Sequence, residues 1–488
     1  MSRKLILFFG VLLRMSKVRT RFAPAPTGIM HIGNIRTALL NYIFTQQYQG
    51  ACILRIEDTD EKRNIDPQAD QLIQHLTWMQ LSFQEGPHVG GPYAPYFQSQ
   101  RQPIYEQYLK TLQEKNLIYR CFASPEELET KRQRQLAMKQ PPRYDRAYAN
   151  LTPEQIQAYL DAKTPFVWRL RIDSNKLVSF ADLARGTLTF DLKNFSDFPL
   201  TRQDGSFTFI FANCIDDIEM KISHVFRGEE HLSNTVHQIV LYQLLQAPLP
   251  IFWHTPILFN TNGKKLSKRD RGFSLEDLKN QGFLPEAINN YLMLIGNSFA
   301  HEIMSLEEIT KNYNFNNLST AGQAKYDIEK LLWVNHKWIS KYNAKKLLEL
   351  CLPFLEQAYP QTIKNISTEK LQYLLSKIQT DLHTLAEIVP ALKFYFKYEQ
   401  IHATLLASIL PETQVVLFLE QVKQDIQQAV SEADFVQKCK QNKPALIASK
   451  EYWGALRFIL TGSQIGLAIH DIVEGLGLEV ARTRILNV

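Results

Sequence analysis

The sequence lacks three features that would place the protein outside an ordinary cytoplasm. Its five cysteines are scattered and odd in number, so they suggest neither a disulfide framework nor the paired spacing of a zinc site. No apolar run approaches the roughly twenty residues needed to cross a bilayer. The net charge of +6 is mild, which permits a nucleic-acid partner without requiring one. We therefore expect a cytoplasmic protein with no membrane partner.

The first residues match a signal peptide only in part. Two basic residues precede the apolar stretch Leu5 to Leu13, but Arg14 and Lys17 follow it without a small-residue cleavage site. Secretion is therefore not expected. We assign residues 1–16 as a leader, and the alternative is that translation begins at Met15.

Glycine is absent between Gln323 and Trp453, and such a stretch favours helices because glycine weakens helix interiors. Apolar spacing predicts helices over Ala344–Leu355, Thr368–Gln379 and Pro411–Ala429. We place the main domain boundary near residues 320–345 and expect an all-α region over 331–488.

The first part of the chain alternates strands and helices. Thr20–Ala23 and Ala51–Ile56 have the composition of strands, and Gly33–Gln47 has the apolar spacing of a helix. A strand, a helix and a strand within about forty residues form a βαβ unit with a parallel sheet. Further parallel strands are predicted at Phe207–Ile215 and Ser223–Arg227. The predicted fold class is α/β, a Rossmann-like doubly wound parallel sheet.

An α+β insertion is expected over about residues 105–204. It combines a charged helix at Pro125–Lys139 with strands at Pro165–Ile172 and Thr187–Leu192.

A first motif lies between the first strand and its helix, from Arg21 to Asn34. Ligands of open α/β sheets bind beyond the carboxyl ends of strands, where a helix N-terminus offers free N–H groups to phosphate. Gly28 supplies a turn, Gly33 permits close backbone approach, and His31 is a candidate donor to a phosphate oxygen. The alternative is that His31 is only a helix cap.

A second motif, Asn262 to Arg269, is a glycine-led loop with concentrated positive charge. Mobile lysines such as Lys265 and Lys268 suit a pyrophosphate leaving group, because they follow charge as it moves onto the leaving group. The alternative for an isolated run of this kind is a solvated basic turn.

Together the two motifs resemble the two signatures of class I aminoacyl-tRNA synthetases. Three intervening segments resemble the glutamyl and glutaminyl branch: Arg55–Asp60, Asp216–Asp217 and Val225–His231. Tyr326–Asn335 resembles the segment leading into the helical anticodon-binding region of bacterial glutamyl-tRNA synthetases. The resemblance covers essentially Lys17 to Leu486.

This resemblance implies ATP-dependent ligation of glutamate to tRNA(Glu) through glutamyl-adenylate, with ATP and Mg²⁺ required. Relaxed or shifted specificity towards tRNA(Gln) is also open, and activation itself is expected to need bound tRNA. It further implies a catalytic domain over 17–330, with an insertion that binds the acceptor end and a stem-contact region at about 260–330. The partners are then tRNA, ATP and L-glutamate, and a monomer is expected.

The site residues carried over from the resemblance fall into three sets. The catalytic residues are His31, Lys265 and Lys268. The ATP-binding residues are Gly28, His31, Gly33, Asn34, Lys265, Ser267 and Lys268. The glutamate-binding residues are Arg21, Ala23, Ala25, Glu57, Phe209, Asn213 and Arg227.

Substrate chemistry supports part of this assignment independently. Glutamate carries carboxylates and an ammonium group, so its site needs charges of both signs. Arg21 and Arg227 are suitable for the side-chain carboxylate, because a guanidinium fork matches two oxygens. Glu57 is the counterpart for the ammonium group. The alternative for the Arg55–Asp60 segment is an ion-pair network at the end of a strand.

Several positions depart from the family pattern. Asn34 replaces the second histidine of the first motif, Ala25 stands where serine is common, and Phe209 stands where tyrosine is common. Two hydroxyl groups are therefore missing from the predicted pocket, and a lost hydrogen bond costs about 0.5–1.5 kcal/mol. Weaker glutamate binding is expected unless the site has repacked.

No structural zinc is expected. Many relatives carry a zinc knuckle with four ligands in the insertion, but only Cys121 remains here. Ala123, Tyr148 and Asn150 occupy the other three positions, and none of them is a usual zinc ligand.

Three rival functions remain. Glutaminyl-tRNA synthetases usually end in β-barrels, whereas this chain ends in a glycine-free helical region. Relatives that modify a tRNA base with glutamate lack an anticodon domain. A catalytically inactive tRNA-binding paralogue is suggested by Ala25, Asn34 and Phe209, but Lys265 and Lys268 argue against it.

Overall fold

The computed structural model describes residues 17–488 except Thr27, 61–63, 65, 67, 268, 317 and 319–323. The predicted leader, residues 1–16, lies outside the described residues. The chain divides into two compact units. The first comprises the described residues up to Glu276 together with Asn289–Asp327, and the second comprises Asp277–Ile288 and Ile328–Val488.

All the strands of the described residues belong to the first unit. They are β1 (Arg19–Phe22), β2 (Ala51–Leu54), β3 (Ile118–Cys121), β4 (Val167–Leu170), β5 (Leu177–Asp182), β6 (Gly186–Asp191), β7 (Phe198–Pro199), β8 (His224–Gly228), β9 (Ile251–Thr255), β10 (Leu258–Phe259) and β11 (Ala324–Lys325). β1 pairs with β2 in parallel, and β8 pairs with β9 in parallel. The backbone N–H of Ser223, just before β8, donates to Arg19 O at the start of β1, at 3.0 Å. These parallel pairings confirm the α/β, Rossmann-like prediction.

Helices of the first unit connect these strands. They are α1 (Ile32–Gln47), α2 (Asp70–Trp78), α3 (Gln102–Glu114), α4 (Pro125–Ala137), α5 (Pro153–Asp161), α6 (Phe209–Glu219), α7 (Leu232–Leu244) and α10 (Leu306–Asn312), while α8 (Leu275–Asn280) and α9 (Pro285–Leu294) lie where the chain passes between the units. The core includes Val178, Phe211, Val225, Ile239 and Phe252, each at most 1% exposed.

One sequence prediction was wrong: Phe207–Ile215 is not a strand. The segment enters helix α6, and Thr208 precedes it in an extended conformation. Seven consecutive residues, from Phe211 to Asp217, are buried in this helix. A helix buried on nearly every side shows no apolar–polar period, so its apolar run is indistinguishable from a buried strand.

The insertion builds an antiparallel sheet in the order β3–β4–β7. Cys121 at the end of β3 is buried with Ala123 and Ala149, against Tyr144 and Tyr148. Its Sγ donates to the Tyr144 hydroxyl at 3.2 Å. In the part of the chain that the structure describes, no three His, Cys, Asp or Glu side chains are grouped to hold a metal ion.

The second unit is helical, as its composition predicted. Its helices are α11 (Ile328–Ile339), α12 (Ala344–Ala358), α13 (Thr368–Ile378), α14 (Ile388–Ala391), α15 (Lys393–Phe396), α16 (Glu412–Gln428), α17 (Glu432–Asn442), α18 (Ser449–Thr461), α19 (Ile469–Leu476) and α20 (Leu478–Leu486). Its core includes Leu347, Leu375, Phe418, Ile459 and Ile472, all fully buried. Among the described residues, no helix is both long enough and apolar enough to span a membrane.

Candidate active site

A cavity of about 600 Å³ opens in the first unit beside the N-terminus of α1. Most of the predicted site residues line it: Arg21, Ala23, Ala25, His31, Gly33, Asn34, Glu57, Phe209, Asn213, Arg227 and Lys265. Gly28 and Ser267 are exposed and do not line it. Lys268 lies outside the described residues.

His31 caps helix α1. Its Nδ1 accepts from the backbone N–H of Asn34 at 3.3 Å, and Asn34 Oδ1 accepts from the backbone N–H of His31 at 3.2 Å. This reciprocal pair is a capping box. Because Nδ1 is an acceptor, the neutral imidazole carries its proton on Nε2. The ring packs on Phe273 with 4.7 Å between centroids, which restricts its orientation at the edge of the cavity.

A buried ion-pair network joins Arg21 to Arg55. The Nε of Arg21 is 3.1 Å from Asp217 Oδ1, and the Nη1 of Arg55 is 2.7 Å from the same oxygen. Burial raises the pKa of Asp217, but the charges of the two arginines outweigh it and the net shift is downwards. Asp217 therefore stays ionised and compensates the charge of Arg21.

The network continues away from the cavity. Asp216 Oδ1 accepts from Arg101 Nε at 2.6 Å, and its Oδ2 accepts from Gln98 and Tyr105, each at 2.8 Å. The Nε of Arg55 is 3.7 Å from Asp216 Oδ2. These contacts fix the Asp216 carboxylate beside Arg55.

Glu57 and Asn213 form the acidic side of the cavity. Glu57 Oε1 accepts from Arg55 Nη2 at 3.2 Å and from Asn213 Nδ2. No described residue donates a hydrogen bond to Oε2. Burial raises the pKa of Glu57, while Arg55 and Asn213 oppose the rise. An ammonium group at Oε2 would supply the missing compensation for this buried carboxylate.

Arg227 is bound by neutral groups alone. Its Nη2 donates to Thr235 Oγ1 at 2.6 Å and to Gln238 Oε1 at 2.7 Å. Its Nε and Nη1 are buried without a hydrogen-bond partner. No carboxylate of the described residues forms an ion pair with it, and burial followed by repulsion from Arg21 lowers its pKa to about 10. A buried guanidinium of this kind is costly unless an anion binds to it.

The described residues of the second motif, 262–267 and 269, belong to a loop, here called the lysine loop, that borders the cavity. Lys265 is exposed and lines the cavity, and it is bridged to Phe259 in β10. Ser267 instead bonds within the loop, because both its N–H and its Oγ donate to Asp270 Oδ2, at 2.8 and 2.9 Å. The loop turns at Gly263, whose φ is +72°.

Sequence reasoning did not identify four residues that position the site: Arg101, Thr235, Gln238 and His254. Each acts through a tertiary contact with a residue far away in the chain or in a neighbouring element. The only sequence signal of Thr235, Gln238 and His254 is polarity within largely apolar elements, and Arg101, which ends the polar segment Gln98–Arg101, carries no such signal.

Two family profiles cover most of the chain. The one described as tRNA synthetases class I (E and Q), catalytic domain, matches residues 17–333. The one described as anticodon binding domain matches residues 346–488.

Several relatives match over nearly their whole length. A protein of Bacillus subtilis named glutamate–tRNA ligase is 36% identical, over 97% of this chain and 100% of its own length. A protein of Bacillus velezensis with the same name is 35% identical, over 97% and 100%.

Among solved structures, a glutamate tRNA ligase from Elizabethkingia meningosepticum, crystallised with its amino acid, superposes with a TM-score of 0.84 at 29% identity. That match covers 96% of this chain and 99% of the other. The sequence profiles, the relatives and the architecture agree, and this chain belongs to the class I aminoacyl-tRNA synthetases of the glutamate and glutamine group.

Proposed function

We propose that this protein is a glutamate–tRNA ligase that uses ATP to join glutamate to the 3′ end of tRNA(Glu). The observation that supports this most strongly is the unequal charge compensation inside one cavity. Among the described residues, no carboxylate pairs with Arg227, and both hydrogen bonds to the Glu57 carboxylate are made to Oε1, which leaves Oε2 without a donor. A ligand with a carboxylate at one end and an ammonium group at the other satisfies both.

Within this proposal, the side-chain carboxylate of glutamate binds between the two arginines. Arg227 contributes Nη1, and Arg21 contributes Nη2, which makes no hydrogen bond to a described residue. Arg227 is positioned through Nη2, which bonds to Thr235 and Gln238, and Arg21 is positioned through Nε and Nη1, which bond to Asp217 and the Phe226 carbonyl. Glu57 Oε2 accepts from the ammonium group, with Asn213 fixing the orientation of the Glu57 carboxylate. Ala23, Ala25 and Phe209 provide apolar walls.

ATP occupies the part of the cavity between helix α1 and the lysine loop. The Nε2–H of His31 and the backbone N–H of Gly33 donate towards the phosphates, where the helix dipole also favours negative charge. Asn34 lines the same part of the cavity and holds His31 in place, because its own N–H bonds to His31 Nδ1. Lys265 and Lys268 neutralise the leaving pyrophosphate. ATP arrives as its Mg²⁺ complex, with the ion held mainly by phosphate oxygens and water.

The reaction has two steps. The α-carboxylate of glutamate attacks the α-phosphorus of ATP, and the bond to pyrophosphate breaks to give glutamyl-adenylate. The terminal ribose hydroxyl of tRNA then attacks the acyl carbon, its proton passes to solvent or phosphate, and AMP leaves. No protein nucleophile takes part. The protein contributes position and electrostatic stabilisation.

The remaining assignments complete the proposal. The insertion at about 105–204 holds the acceptor end, the region at about 260–330 contacts the stem, and 331–488 reaches the anticodon. The affinity for tRNA falls as the salt concentration rises, because lysine and arginine side chains bind the phosphate groups of the tRNA and displace their counterions. The protein acts as a cytoplasmic monomer without structural zinc. The five buried, unpaired cysteines support only the reducing compartment.

A charging assay tests the proposal. The full-length protein is incubated with glutamate, ATP, Mg²⁺ and total tRNA, and acid-precipitable glutamyl-tRNA is counted. Lys265→Ala is expected to lower kcat about 100-fold. Lys264→Ala is the matched control, because Lys264 is the adjacent exposed lysine and does not line the cavity. Absence of product from the wild type would overturn the proposal.

The choice of tRNA needs a separate measurement. Purified tRNA(Glu) and tRNA(Gln) are charged with glutamate under identical conditions, and kcat/KM is compared. We propose that tRNA(Glu) is charged, and charging of tRNA(Gln) as well would show relaxed specificity. Exclusive charging of tRNA(Gln) would overturn the first part.

A further inference from the structure

A hydrogen-bond chain runs behind Arg227, on the side away from the cavity. Asp182 at the end of β5 accepts through Oδ2 from the backbone N–H of His254 at 3.0 Å and from its Nδ1 at 2.8 Å. His254 Nε2 lies 2.6 Å from Thr235 Oγ1, and Thr235 Oγ1 accepts from Arg227 Nη2 at 2.6 Å. Asp182, His254 and Thr235 are at most 2% exposed.

Each hydrogen bond between Asp182 and Arg227 has a defined donor and acceptor. Asp182 is ionised and can only accept, so His254 Nδ1 carries a proton. Burial lowers the pKa of His254, and the charge of Arg227 lowers it further, so the ring is neutral and Nε2 is an acceptor. Thr235 Oγ1 also lies 3.1 Å from the His231 carbonyl oxygen, but its 2.6 Å contact with the Nε2 lone pair needs a proton between the two atoms. Thr235 therefore donates its hydroxyl proton to Nε2. This turns an oxygen lone pair towards Arg227 Nη2.

Gln238 fixes the other N–H of Nη2. Its Oε1 accepts from Arg227, while its Nε2 donates to Asn213 Oδ1 at 2.9 Å. Both protons of Nη2 are therefore engaged by neutral oxygens. Neutral acceptors orient the guanidinium but leave its charge uncompensated.

We propose that Asp182, His254 and Thr235 are positioning residues that make the site select an anionic side chain by orienting Arg227 without neutralising it. This inference rests on the proposed function and adds to it the residues that set substrate choice. An acidic residue at position 235 or 238 would neutralise Arg227 and remove the preference. The carboxylate of Asp182 does not contact Arg227, because the imidazole of His254 and the hydroxyl of Thr235 lie between them.

Thr235→Val tests the inference, because valine keeps the shape of threonine and removes the hydroxyl. Charging of tRNA is measured with glutamate varied at saturating ATP and tRNA. The KM for glutamate is expected to rise roughly 10- to 100-fold, as a lost hydrogen bond to a charged group predicts. The KM for ATP is expected to stay unchanged. The inhibition constant of glutamine, which lacks the charge, is expected to change far less than the KM for glutamate.

Two further variants separate positioning from general stability. Thr235→Ser keeps the hydroxyl and is expected to restore the KM for glutamate. Thr45→Val removes another buried threonine hydroxyl, which bonds to Thr20 and to the Asn41 carbonyl, and is expected to leave both KM values unchanged.

The outcomes are distinguishable. A rise in the glutamate KM alone, reversed by Thr235→Ser, supports the inference. An active wild type with an unaltered glutamate KM in Thr235→Val, or with equal weakening of glutamate and glutamine, overturns the inference alone. An inactive wild type overturns the proposed function and the inference with it.

Discussion

Replacing Asp217 with asparagine would test whether the buried ion-pair network maintains the site. The amide keeps the shape of the carboxylate but removes its charge. Two guanidinium groups, those of Arg21 and Arg55, lie 3.1 and 2.7 Å from the same oxygen, and all three side chains are at most 4% exposed. Removing one partner of a buried pair leaves an uncompensated charge, which costs about 3–5 kcal/mol. Asp217→Asn is expected to destabilise the first unit by this amount.

The assay is equilibrium urea unfolding at neutral pH, with the transition of the first unit followed separately, since a two-unit chain need not unfold in one step. Asp173→Asn in the same unit is the matched control. Asp173 pairs with Lys176 at 3.6 Å, but both side chains are at least half exposed, so its loss should cost only about 0–1 kcal/mol. Equal effects of the two substitutions would refute the reasoning.

The same network predicts an acid dependence. The pKa of Asp217 is lowered on folding, because its two arginines outweigh the effect of burial. Its stabilisation is therefore fully present above the unfolded-state pKa of 3.8 and is lost as pH falls through the lower, folded-state value. Asp217→Asn should show a smaller loss of stability than the wild type in that acid range.

Three further outcomes are expected. Phe209→Tyr restores a hydroxyl to the cavity, so the KM for glutamate should fall by roughly 2- to 10-fold in charging assays. Gly282→Ala should destabilise the second unit by at least about 1–3 kcal/mol, as measured by chemical denaturation. Gly282 has φ +82°, and an added Cβ would also lie 2.5 Å from Ala386 N. Stability should also fall as pH drops from 6.5 towards 4, because one buried and two partly buried histidines of the first unit have a pKa lowered from 6.5 to about 4, chiefly by their removal from water. They are His224, His231 and His237.

The glycine and histidine predictions each have a second variant that checks them. Gly462→Ala has a similar φ of +77° with open space around the added Cβ, so it should cost only about 1 kcal/mol. Between pH 6.5 and 4 the three histidines bind protons in the unfolded state but not in the folded state. Each histidine therefore contributes up to roughly 1.4 kcal/mol per pH unit to the slope of the unfolding free energy. His237→Phe should flatten that slope, and an unchanged slope would contradict the prediction. An unchanged glutamate KM in Phe209→Tyr would show that the pocket has repacked.

The parts of the fold with a clear period were predictable from the sequence. Helix α1 and strands β1 and β2 follow from apolar spacing and turn residues, and the helices of the second unit follow from their amphipathic faces. Helix α6 was missed because residues 211–217 are all buried. Burial on every side is set by the surrounding structure, and a local pattern does not record it.

The site was predictable where motifs mark it. Arg21, Glu57, Asn213 and Arg227 were named from the sequence, and the structure brings them to one cavity. The sequence does not predict that Arg21 has a carboxylate partner and that Arg227 has only neutral ones. This difference arises because folding places Asp217 against Arg21 and Thr235 against Arg227. The sequence also left open whether His31 is only a cap. Its Nδ1 does cap α1, and its Nε2 proton is the one that the proposed mechanism uses.

The central claim is that the uncompensated charge of Arg227 makes this site recognise a carboxylate side chain. The most direct test is the ratio of kcat/KM for glutamate to that for glutamine, measured with the wild type and with Arg227→Met in the same tRNA-charging assay. We predict that the wild type strongly favours glutamate and that the ratio falls at least about 100-fold in Arg227→Met. A ratio that survives this substitution would contradict the claim.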